Sequence, residues 1–567
     1  MYEGVNASDG IGIGVARVAV EPDLSFMPHA PEDPEAEKAR YGAAVEKFVE
    51  QTNAQIERMK KTVGEDAAAI MGAHIEFAED EGIHEMVKGS IDSGMCAEQA
   101  VSEAYGTFYT MYANMDDELF RERAADVADV KTGLLADLLG KEVVDLSTLP
   151  ENSIVVVHEL TPSMTADIDK EDVAGIVTET GGRTSHSAII ARALEIPAVL
   201  SVADATVNIK TGDMVVVDGT NGKVIAQPSD HDLEHYRSKA KAYAEEKAAL
   251  EAYRGRETVT GDGDKKLLVA NIGNPDDANA ALEHDAEGVG LFRSEFLFMD
   301  AKELPSEDEQ FAAYQKVALR MKDKPVIIRT LDVGGDKEIP YLHLQKEENP
   351  FMGFRAVRYC LNNPDQYKVQ LSALLRASAF GDIKIMLPLV TTIDEVRQAK
   401  ALIEECKQDL DERGVAYNKD IEVGTMIETP AASLIADDLA AECDFFSIGT
   451  NDLIGYTMCA DRGNDRVSYL YQVYQPAVLR SLKRVIGEGN KAGIMVGMCG
   501  EAAADPLLIP ILMSFGLDEY SVSAPSVLRT RRILSLWTKE EADALAEKVM
   551  ALKTATEVKA MLQAAAK

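Results

Sequence analysis

Apolar residues change their spacing along the chain, and the change predicts two kinds of domain in the first half. Short apolar runs typical of strands occur within residues 1–22 and again, between residues 152 and 228, in SIVVVHEL, VAGIVTET, AVLSV and DMVVVDG. Between these regions the apolar residues recur at helical spacing, as in AEKARYGAAVEKFVEQTNAQIERMKKTVG. The pattern predicts an α/β domain formed by residues 1–22 and 146–228, with residues 23–145 inserted as a helical subdomain.

The second half of the chain alternates strand-like runs with helix-length segments. A charged helical stretch, HDLEHYRSKAKAYAEEKAALEAYRGRE, comes first and predicts a linker helix within residues 229–260. Eight apolar runs follow: KLLVANIG, GVGLFRSEF, PVIIRTLDV, IKIMLPLV, EVGTMIET, FFSIGTNDL, IMVGMCGE and EYSVSA. Eight βα units predict a (β/α)8 TIM barrel over residues 261–567, because the alternative, an open doubly wound sheet, does not usually need eight strands.

The composition is that of a globular protein with a strongly acidic surface. Of its 567 residues 46% are hydrophobic, and 96 acidic against 58 basic residues give a formal net charge of −38. A field of this sign repels nucleic acids and anionic membranes, so we expect neither as a partner. The sequence has no apolar run of about 20 residues, no secretory signal pattern and no CxxC pair. These features predict a cytoplasmic, reduced protein.

The acidic surplus is concentrated at the start of the chain, where residues 1–150 hold 30 acidic and 12 basic residues. Two interpretations stay open: a solvated surface, or a docking face for a small basic protein whose association such a field accelerates. In either case an anionic substrate needs a local cluster of arginines that acts against the overall field.

The sequence GGRTSHS at residues 181–187 combines a tight turn with the start of a helix. The two glycines permit the turn, and Thr184 or Ser185 can cap the helix that AIIARALEIPAVL continues. His186 then lies in the first helical turn, where free N–H groups and the helix dipole stabilise an anion such as a phosphoryl group. Spacing alone leaves two interpretations: a phosphoryl carrier, or a histidine that is hydrogen-bonded at a helix start.

The longer segment GGRTSHSAIIARALEIPA closely resembles the phosphohistidine signature of the phosphoenolpyruvate-utilising enzyme family. The resemblance implies that His186 carries a phosphoryl group. LTPSMT at residues 160–165 also resembles the family pattern. The chain departs from that pattern at His158 and Glu159, where acidic or small residues are commoner, and at Ser201, where a glycine is frequent.

Three arginines lie at the ends of predicted barrel strands or just beyond them: Arg293, Arg329 and Arg462. The C-terminal strand ends form the active face of a (β/α)8 barrel, and guanidinium groups pair well with phosphate and carboxylate. A surface salt bridge would explain any one of these arginines. Three at equivalent positions on different strands predict an anion site.

Two carboxylates and a thiol follow three further strands. Glu428 ends strand five, Asn451 and Asp452 end strand six, and Cys499 ends strand seven. Carboxylates on neighbouring strands suit Mg²⁺ that is shared with a phosphorylated substrate, with buried structural acids as the alternative. For Cys499 the alternative is a small buried apolar side chain.

The segments around these positions, among them RTLDVGGDK, ENPFMGFRAVR, MIETPA and SIGTNDLIGYT, resemble the phosphoenolpyruvate-binding domain of the same family. The resemblance implies that phosphoenolpyruvate is held by Arg293, Arg329, Asn451, Asp452 and Arg462. It further implies that Glu428 and Asp452 hold Mg²⁺ and that Cys499 protonates the enolate to give pyruvate. Three lesser candidates lie on these segments: Lys337, Arg355 and Arg358. Pairing on a helix surface explains the last two equally well.

Over essentially its full length the chain resembles the enzyme I branch of this family. That resemblance implies transfer of the phosphoryl group of phosphoenolpyruvate to His186 and then to a histidine of the phosphocarrier protein HPr, which would dock on the helical insertion. Pyruvate is released, and the transfer is the first step of sugar uptake by the phosphotransferase system. The resemblance also implies a homodimer formed through the barrel.

Because one imidazole must meet both a ligand in the barrel and a separate protein, we expect the α/β domain to swing, with hinges near residues 20–30, 145–150 and 228–262. Two alternative functions stay open. A phosphoenolpyruvate synthase or pyruvate phosphate dikinase would need a nucleotide-binding domain, and residues 1–263 contain no Gly-rich phosphate loop. A regulatory homologue without chemistry would not need the histidine, thiol, arginines and carboxylates that this chain retains.

Overall fold

The computed structural model describes residues 1–567 apart from 20–23, 63–71, 114–117, 142–145, 147–148, 161–163, 165–167, 169, 183–184, 300, 302, 335–338, 343, 346 and 462–463. The chain forms two compact units, Met1–Lys247 and Ala248–Lys567. Among the helices in the described ranges, none combines the length and the apolar character that crossing a membrane requires.

The first unit is organised around an eight-stranded mixed sheet. Its strands are β1 (Tyr2–Glu3), β2 (Val5–Ser8), β3 (Ile11–Val18), β4 (Ser153–Val157), β5 (Val173–Thr178), β6 (Ala198–Leu200), β7 (Met214–Asp218) and β8 (Lys223–Ala226). They are ordered β1-β8-β7-β3-β4-β5-β6-β2, and β3 to β6 run parallel. Gly14 allows β3 to approach its neighbour closely, because a Cβ there would lie 1.9 Å from the carbonyl oxygen of Asn152.

A group of helices is inserted between two neighbouring strands of this sheet. The helices α1 (Pro34–Thr62), α2 (Gly72–Ala78), α3 (Glu81–Asp92), α4 (Ala97–Ala113) and α5 (Glu118–Leu139) follow β3 and precede β4 in sequence, although these two strands pair directly. The insertion has a core of its own that includes Tyr41, Ile83 and Tyr105. Arg40 joins α1 to α4 through an ion pair of 2.8 Å with Glu98.

Among the described residues of this part of the chain, three further helices are α6 (His186–Ala193), α7 (Ala205–Asn208) and α8 (Asp230–Glu251). The charged stretch predicted as a linker helix forms α8. Lys239 on α8 lies 2.8 Å from Asp218 at the end of β7, and Tyr236 packs against Val216 and Ile225. The boundary between the two units follows Lys247, so most of α8 packs as part of the first unit.

A closed barrel of eight parallel strands forms the centre of the second unit. The strands are β9 (Leu267–Ile272), β10 (Val289–Arg293), β11 (Val326–Arg329), β12 (Ile383–Leu387), β13 (Val423–Ile427), β14 (Phe445–Ile448), β15 (Met495–Met498) and β16 (Glu519–Val522). Each of the eight apolar runs contains one of these strands. The predicted α/β fold with a (β/α)8 barrel is therefore confirmed.

Helices surround and extend the barrel. They are α9 (Asp277–Glu283), α10 (Phe296–Met299), α11 (Glu307–Met321), α12 (Ala356–Asn362), α13 (Pro364–Ala377), α14 (Ile393–Arg413), α15 (Pro430–Leu434), α16 (Ala436–Ala440), α17 (Thr450–Met458), α18 (Pro476–Ala492), α19 (Ile509–Phe515), α20 (Val527–Ser535), α21 (Lys539–Met550) and α22 (Ala555–Ala565). A large apolar core lies between strands and helices. A second, smaller cluster of strand residues, including Leu291, Ile327, Met386 and Phe445, fills the barrel interior.

Glu519, the first residue of β16, is a carboxyl group buried inside the barrel unit. Its side chain is 1% exposed, and neither carboxyl oxygen has a hydrogen-bond partner among the described residues. Burial raises the pKa of Glu519 to about 7, against the opposing effect of Lys384. A buried carboxyl without partners favours its neutral form.

Replacing Glu519 with glutamine is expected to stabilise the barrel increasingly as the pH rises. The pKa of Glu519 in the folded protein, about 7, lies above the ordinary value of 4.5. As far as Glu519 is concerned, the wild-type protein is therefore most stable below pH 4.5, where Glu519 is protonated in both states, and it loses stability as the pH rises through 7. One pKa unit corresponds to about 1.4 kcal/mol. The free energy of unfolding of Glu519→Gln relative to the wild type should therefore be larger at pH 8 than at pH 5 by on the order of 3 kcal/mol. The fluorescence of Trp537, which is the single tryptophan and lies in the barrel unit, reports urea unfolding at both values.

The exposed Glu547→Gln substitution is the matched control and should show no such pH dependence. Parallel stability curves for the wild type and Glu519→Gln between pH 5 and 8 would contradict the assigned effect.

Candidate active site

The C-terminal ends of five barrel strands surround one cavity of about 150 Å³. It is lined by Leu291, Arg293, Arg329, Asp332, Phe351, Arg355, Met426, Glu428, Gly449, Asn451, Asp452, Cys499 and Gly500. The structure thus brings together six sequence-predicted site residues: Arg293, Arg329, Glu428, Asn451, Asp452 and Cys499. Arg462 and Lys337 lie outside the described residues, and His186 belongs to the first unit.

The direction of the strands explains why these side chains meet. Arg293 and Arg329 are the last residues of β10 and β11 and are paired in register. Glu428 directly follows β13, and Cys499 directly follows β15. In a parallel barrel all carboxyl ends open on one face, so residues far apart in sequence converge there.

Arg329 is buried and held by two carboxylates. Its Nη2 atom donates to Oε1 of Glu295 at 2.5 Å, and its Nη1 atom lies 2.9 Å from Oδ2 of Asp332. Burial opposes the positive charge, but the two carboxylates more than offset it, and the pKa of Arg329 lies above its ordinary value. This arginine is charged at any physiological pH.

Arg355, for which the sequence left open a role in the site or pairing on a helix surface, also lines the cavity. It is 6% exposed, its Nη2 atom donates to Asp332 at 2.8 Å, and its Nη1 atom lies 3.4 Å from Asp452. The ring of Phe351 lies 5.7 Å from its guanidinium carbon. Arg358, by contrast, donates to the carbonyl groups of residues 352 and 353 and is not part of the cavity lining.

Glu428 is the most deeply buried acid in the cavity lining. It is 2% exposed, and its Oε1 atom accepts a hydrogen bond of 2.6 Å from the backbone N–H of Leu389. Burial, reinforced by the negative charges of Asp452 and Asp332, raises the pKa of Glu428 to about 8. A cation placed here would relieve that repulsion.

The oxygen donors fit the Mg²⁺ that the family resemblance implies. Glu428 and Asp452 offer two hard carboxylate ligands in one cavity, and Mg²⁺ is commonly bound by one or two carboxylates together with substrate phosphate and water. Within the described part of the chain, no three His, Cys, Asp or Glu side chains group closely enough to hold a metal by themselves. The donor set therefore suits a metal that is shared with a phosphorylated ligand.

Cys499 lies at the inner wall of the cavity as a protonated thiol. It is 4% exposed, packs with the cluster inside the barrel, and its Sγ atom lies 3.8 Å from the carbonyl oxygen of Ile448. Burial raises the pKa of the Cys499 thiol to about 11, although Arg329 acts in the opposite direction. The group can therefore donate a proton to a strong carbon base but is a poor nucleophile at neutral pH.

Sequence reasoning missed two acids that hold the arginines, Glu295 and Asp332. Glu295 stands two residues after Arg293 in LFRSEF, and Asp332 stands three residues after Arg329 in RTLDVGGDK. Their position just beyond strand ends was a usable signal. Their partners could not be read from the sequence because each contact depends on side-chain directions across two elements.

His186 is the first residue of α6, and Ser185 is the N-cap. The Ser185 Oγ atom accepts from the N–H of Ala188 at 3.4 Å, and Ser187 donates to the carbonyl oxygen of Leu160 at 3.0 Å. Gly181 begins the preceding turn with a φ of +103°, which only glycine adopts readily. The backbone therefore places His186 at a helix N-terminus, as the GGRTSH pattern predicts.

Ser201 explains one of the departures from the family pattern. Its φ is 57°, in the left-handed region where glycine is favoured, and its Oγ atom donates to the carbonyl oxygen of Gly181 at 2.8 Å. The hydrogen bond to the turn before His186 compensates for the backbone strain of a non-glycine residue.

Thiol reagents should distinguish Cys499 from Cys459. Cys459 is exposed, whereas Cys499 is buried with its pKa raised to about 11, so at pH 8 fewer than about one Cys499 thiol in 500 is ionised. Iodoacetamide at pH 8 is expected to modify Cys459 in minutes and to leave Cys499 intact, as measured by peptide mass spectrometry. Cys459→Ser should remove the fast site, and equal labelling of both thiols in the wild type would contradict the assignment.

Comparison with known proteins shows the family of the chain. Family models of phosphoenolpyruvate-utilising enzymes match residues 3–123 (N-terminal), 149–222 (mobile domain) and 247–538 (phosphoenolpyruvate-binding domain). The chain is 49% identical to a phosphoenolpyruvate-protein phosphotransferase of Bacillus sp. (strain S) over 98% of this chain and 96% of that one. It is 47% identical to the one of Bacillus subtilis (strain 168) over 99% of each. A solved structure of an enzyme I protein, 38% identical, is similar with a TM-score of 0.39 over 43% of this chain and all of its own. The chain belongs to the phosphoenolpyruvate-utilising enzyme family, in its phosphoenolpyruvate–protein phosphotransferase branch, and is a phosphotransferase.

Proposed function

We propose that this enzyme transfers the phosphoryl group of phosphoenolpyruvate to His186 and then to a histidine of HPr, with release of pyruvate, as the first step of sugar uptake by the phosphotransferase system. The observation that carries the proposal is the barrel cavity, where three arginines, three carboxylates and a thiol line one space of about 150 Å³. These are the groups needed to bind a phosphorylated carboxylate and to protonate its enolate.

The charges around the cavity support a metal-dependent substrate site. The described charged groups in its lining, together with Glu295, comprise three arginines and four carboxylates, Glu295, Asp332, Glu428 and Asp452. The net charge of these groups is −1 when all are ionised, and a negative net charge would repel a trianion. A divalent cation on Glu428 and Asp452 would reverse that sign and neutralise part of the phosphate charge. Arg462, outside the described residues, is proposed to add a further positive charge.

The reaction needs a nucleophile and a proton donor on opposite sides of the substrate. Nε2 of neutral His186 attacks phosphorus in line with the bridging oxygen, so an N–P bond forms as the P–O bond breaks. The electrons of the broken bond leave on the enolate of pyruvate. The Sγ–H group of Cys499 then gives its proton to C3 of the enolate, and the thiolate regains a proton from solvent.

The place of His186 in α6 suits a carrier that must later release its load. Free N–H groups of the first helical turn and the positive end of the helix dipole stabilise a phosphoryl group. The Ser185 cap fixes the start of the helix whose first residue is His186.

The helical insertion is the proposed docking face for HPr. Exposed acids stand on α3 and α4, among them Glu81, Glu85 and Glu103, together with exposed apolar side chains such as Met86 and Met111. A mixed acidic and apolar surface suits a small basic partner, because charge speeds the encounter and apolar contact slows dissociation.

A homodimer formed through the barrel is part of the same proposal. Exposed apolar side chains in the second unit support it, namely Met352, Phe354, Leu434 and Tyr469. Such side chains are typical of surfaces that are covered in an assembly. Sedimentation of a monomer at every accessible protein concentration would contradict this part of the proposal.

Phosphate-labelled phosphoenolpyruvate with Mg²⁺ and without ATP is expected to label the protein, and addition of HPr should remove the label. His186→Ala and chelation of the metal should each abolish labelling. His158→Ala is the matched control, since His158 lies in the same unit with its Nδ1 atom 2.6 Å from Glu179 but has no assigned role in carrying phosphate. Labelling only from ATP would indicate a dikinase-type enzyme, and no labelling from either donor would indicate a regulatory homologue.

Charge reversal on the insertion is expected to slow transfer to HPr without affecting labelling by phosphoenolpyruvate. Glu81→Lys combined with Glu85→Lys should lower the second-order rate at low salt about tenfold or more and flatten its dependence on ionic strength. Rapid quench-flow measures the rate of phosphoryl transfer to HPr. Glu540→Lys with Glu547→Lys, two exposed acids of the second unit, is the control of equal charge. Equal rates and salt slopes for both variants would mean that the acidic insertion serves solvation alone.

A further inference from the structure

Asp332 lies between the two buried arginines of the barrel cavity. Its Oδ2 atom is 2.9 Å from Nη1 of Arg329. Its Oδ1 atom accepts hydrogen bonds from Nη2 and Nε of Arg355, at 2.8 and 3.2 Å. Each carboxylate oxygen therefore holds a different guanidinium group, and a single side chain joins the two arginines.

These contacts form the middle of a row of alternating charges. Glu295 lies on the far side of Arg329, at 2.5 Å, and Asp452 lies on the far side of Arg355, at 3.4 Å. Asp332 is the one acid of the row that contacts both arginines, and its side chain is 3% exposed. The row runs from Glu295, just after β10, to Asp452 in the first turn of α17, and all its members except Glu295 line the cavity.

The arginines need such a partner because their backbone positions do not determine where their guanidinium groups lie. Arg329 ends β11, whereas Arg355 precedes α12 by one residue, and a long side chain separates each guanidinium group from its element. Like charges repel at short range, and unrestrained arginine side chains sample many rotamers. A carboxylate bonded to both sets their spacing and removes most of the repulsion.

We infer that Asp332 is a positioning residue, which acts through Arg329 and Arg355 to hold both guanidinium groups at the spacing that binds phosphoenolpyruvate. The inference rests on the proposed function of the cavity. In this inference Asp332 acts on the reaction through the two guanidinium groups that its carboxylate oxygens contact.

The asparagine variant breaks this arrangement on one side only. Asparagine keeps one acceptor oxygen and presents an NH₂ group at the other position, which would face the N–H groups of one arginine. That arginine keeps its other carboxylate, Glu295 or Asp452, but loses its contact with residue 332 and meets a donor in its place. The variant is therefore close in size to aspartate but cannot hold both guanidinium groups.

Asp332→Asn is expected to lower kcat/KM for phosphoenolpyruvate at least tenfold, mainly by raising KM. Transfer from already phosphorylated protein to HPr, which does not use the barrel cavity, should keep the wild-type rate. In combination with Arg355→Gln, the loss should be much smaller than the product of the two single losses, because both substitutions remove the same interaction. A merely structural role would give multiplicative losses.

Asp285→Asn is the matched control in the same unit. Asp285 pairs with Arg531, a buried arginine 2% exposed that also lies near Glu287, and neither lines the cavity. This variant should lower the melting temperature but leave kcat/KM within twofold of the wild type. If Asp332→Asn does not fold, as judged by circular dichroism, Asp332→Glu replaces it. Glutamate keeps the buried charge but displaces it by one methylene, and the same loss in kcat/KM is expected.

Two outcomes separate failure of this inference from failure of the proposed function. If the wild type is labelled by phosphoenolpyruvate and a folded Asp332 variant keeps its kcat/KM, or if the double variant shows multiplicative losses, Asp332 does not position the arginines. If the wild type itself is not labelled, the proposed function of the cavity fails first.

Discussion

The site depends on holding positive charge where the rest of the molecule opposes it. The chain carries a formal net charge of −38, and burial removes water from the guanidinium groups of Arg329 and Arg355. Buried ions are costly unless they are paired with good geometry. The structure meets this constraint with carboxylates on both sides of each arginine, and the resulting row of charges defines the wall of the cavity.

Pairing has a consequence for what the cavity can bind. A row in which each arginine already contacts acids is close to neutral, so its attraction for a free anion is limited. Glu428 lies in the same cavity outside this row, and burial, reinforced by the negative charges of Asp452 and Asp332, raises the pKa of Glu428 to about 8. In the proposed function, a cation bound beside Glu428 would offset these negative charges, so the site would favour a ligand that arrives together with a cation. Specificity then follows from the sum of charges as much as from any single contact.

The closed barrel is what makes such a row possible, and it is also the part of the fold that the sequence predicts best. Eight apolar runs correspond to β9 to β16 because buried parallel strands need continuous apolar residues. Because parallel strands end on one face of a barrel, the strand-end positions predicted a common face for Arg293, Arg329, Glu428 and Cys499. The helical insertion and α8 follow from spacing as well, since a period of 3.6 over twenty or more residues is distinctive.

What the sequence does not predict are contacts that depend on side-chain direction. Arg355 and Arg358 lie on one segment with similar surroundings, yet one lines the cavity and the other binds backbone carbonyls. Asp332 is close in sequence to the predicted site residue Arg329. Its position between two arginines depends on how the segment after β11 lies against the segment before α12. Ser201 shows the same limit for the backbone: a serine with φ of 57° cannot be foreseen without knowing the turn that its hydroxyl supports.

In the proposed reaction the two units stabilise the same phosphoryl group by different means. In the barrel the stabilising groups are guanidinium groups and a cation bound by carboxylates, which carry full charges. At the start of α6 they are backbone N–H groups, which carry partial charges. Full charges suit the trianionic donor and the transition state for its transfer. Partial charges suit the carrier, because a phosphohistidine clamped by arginines would be too stable to pass its load on.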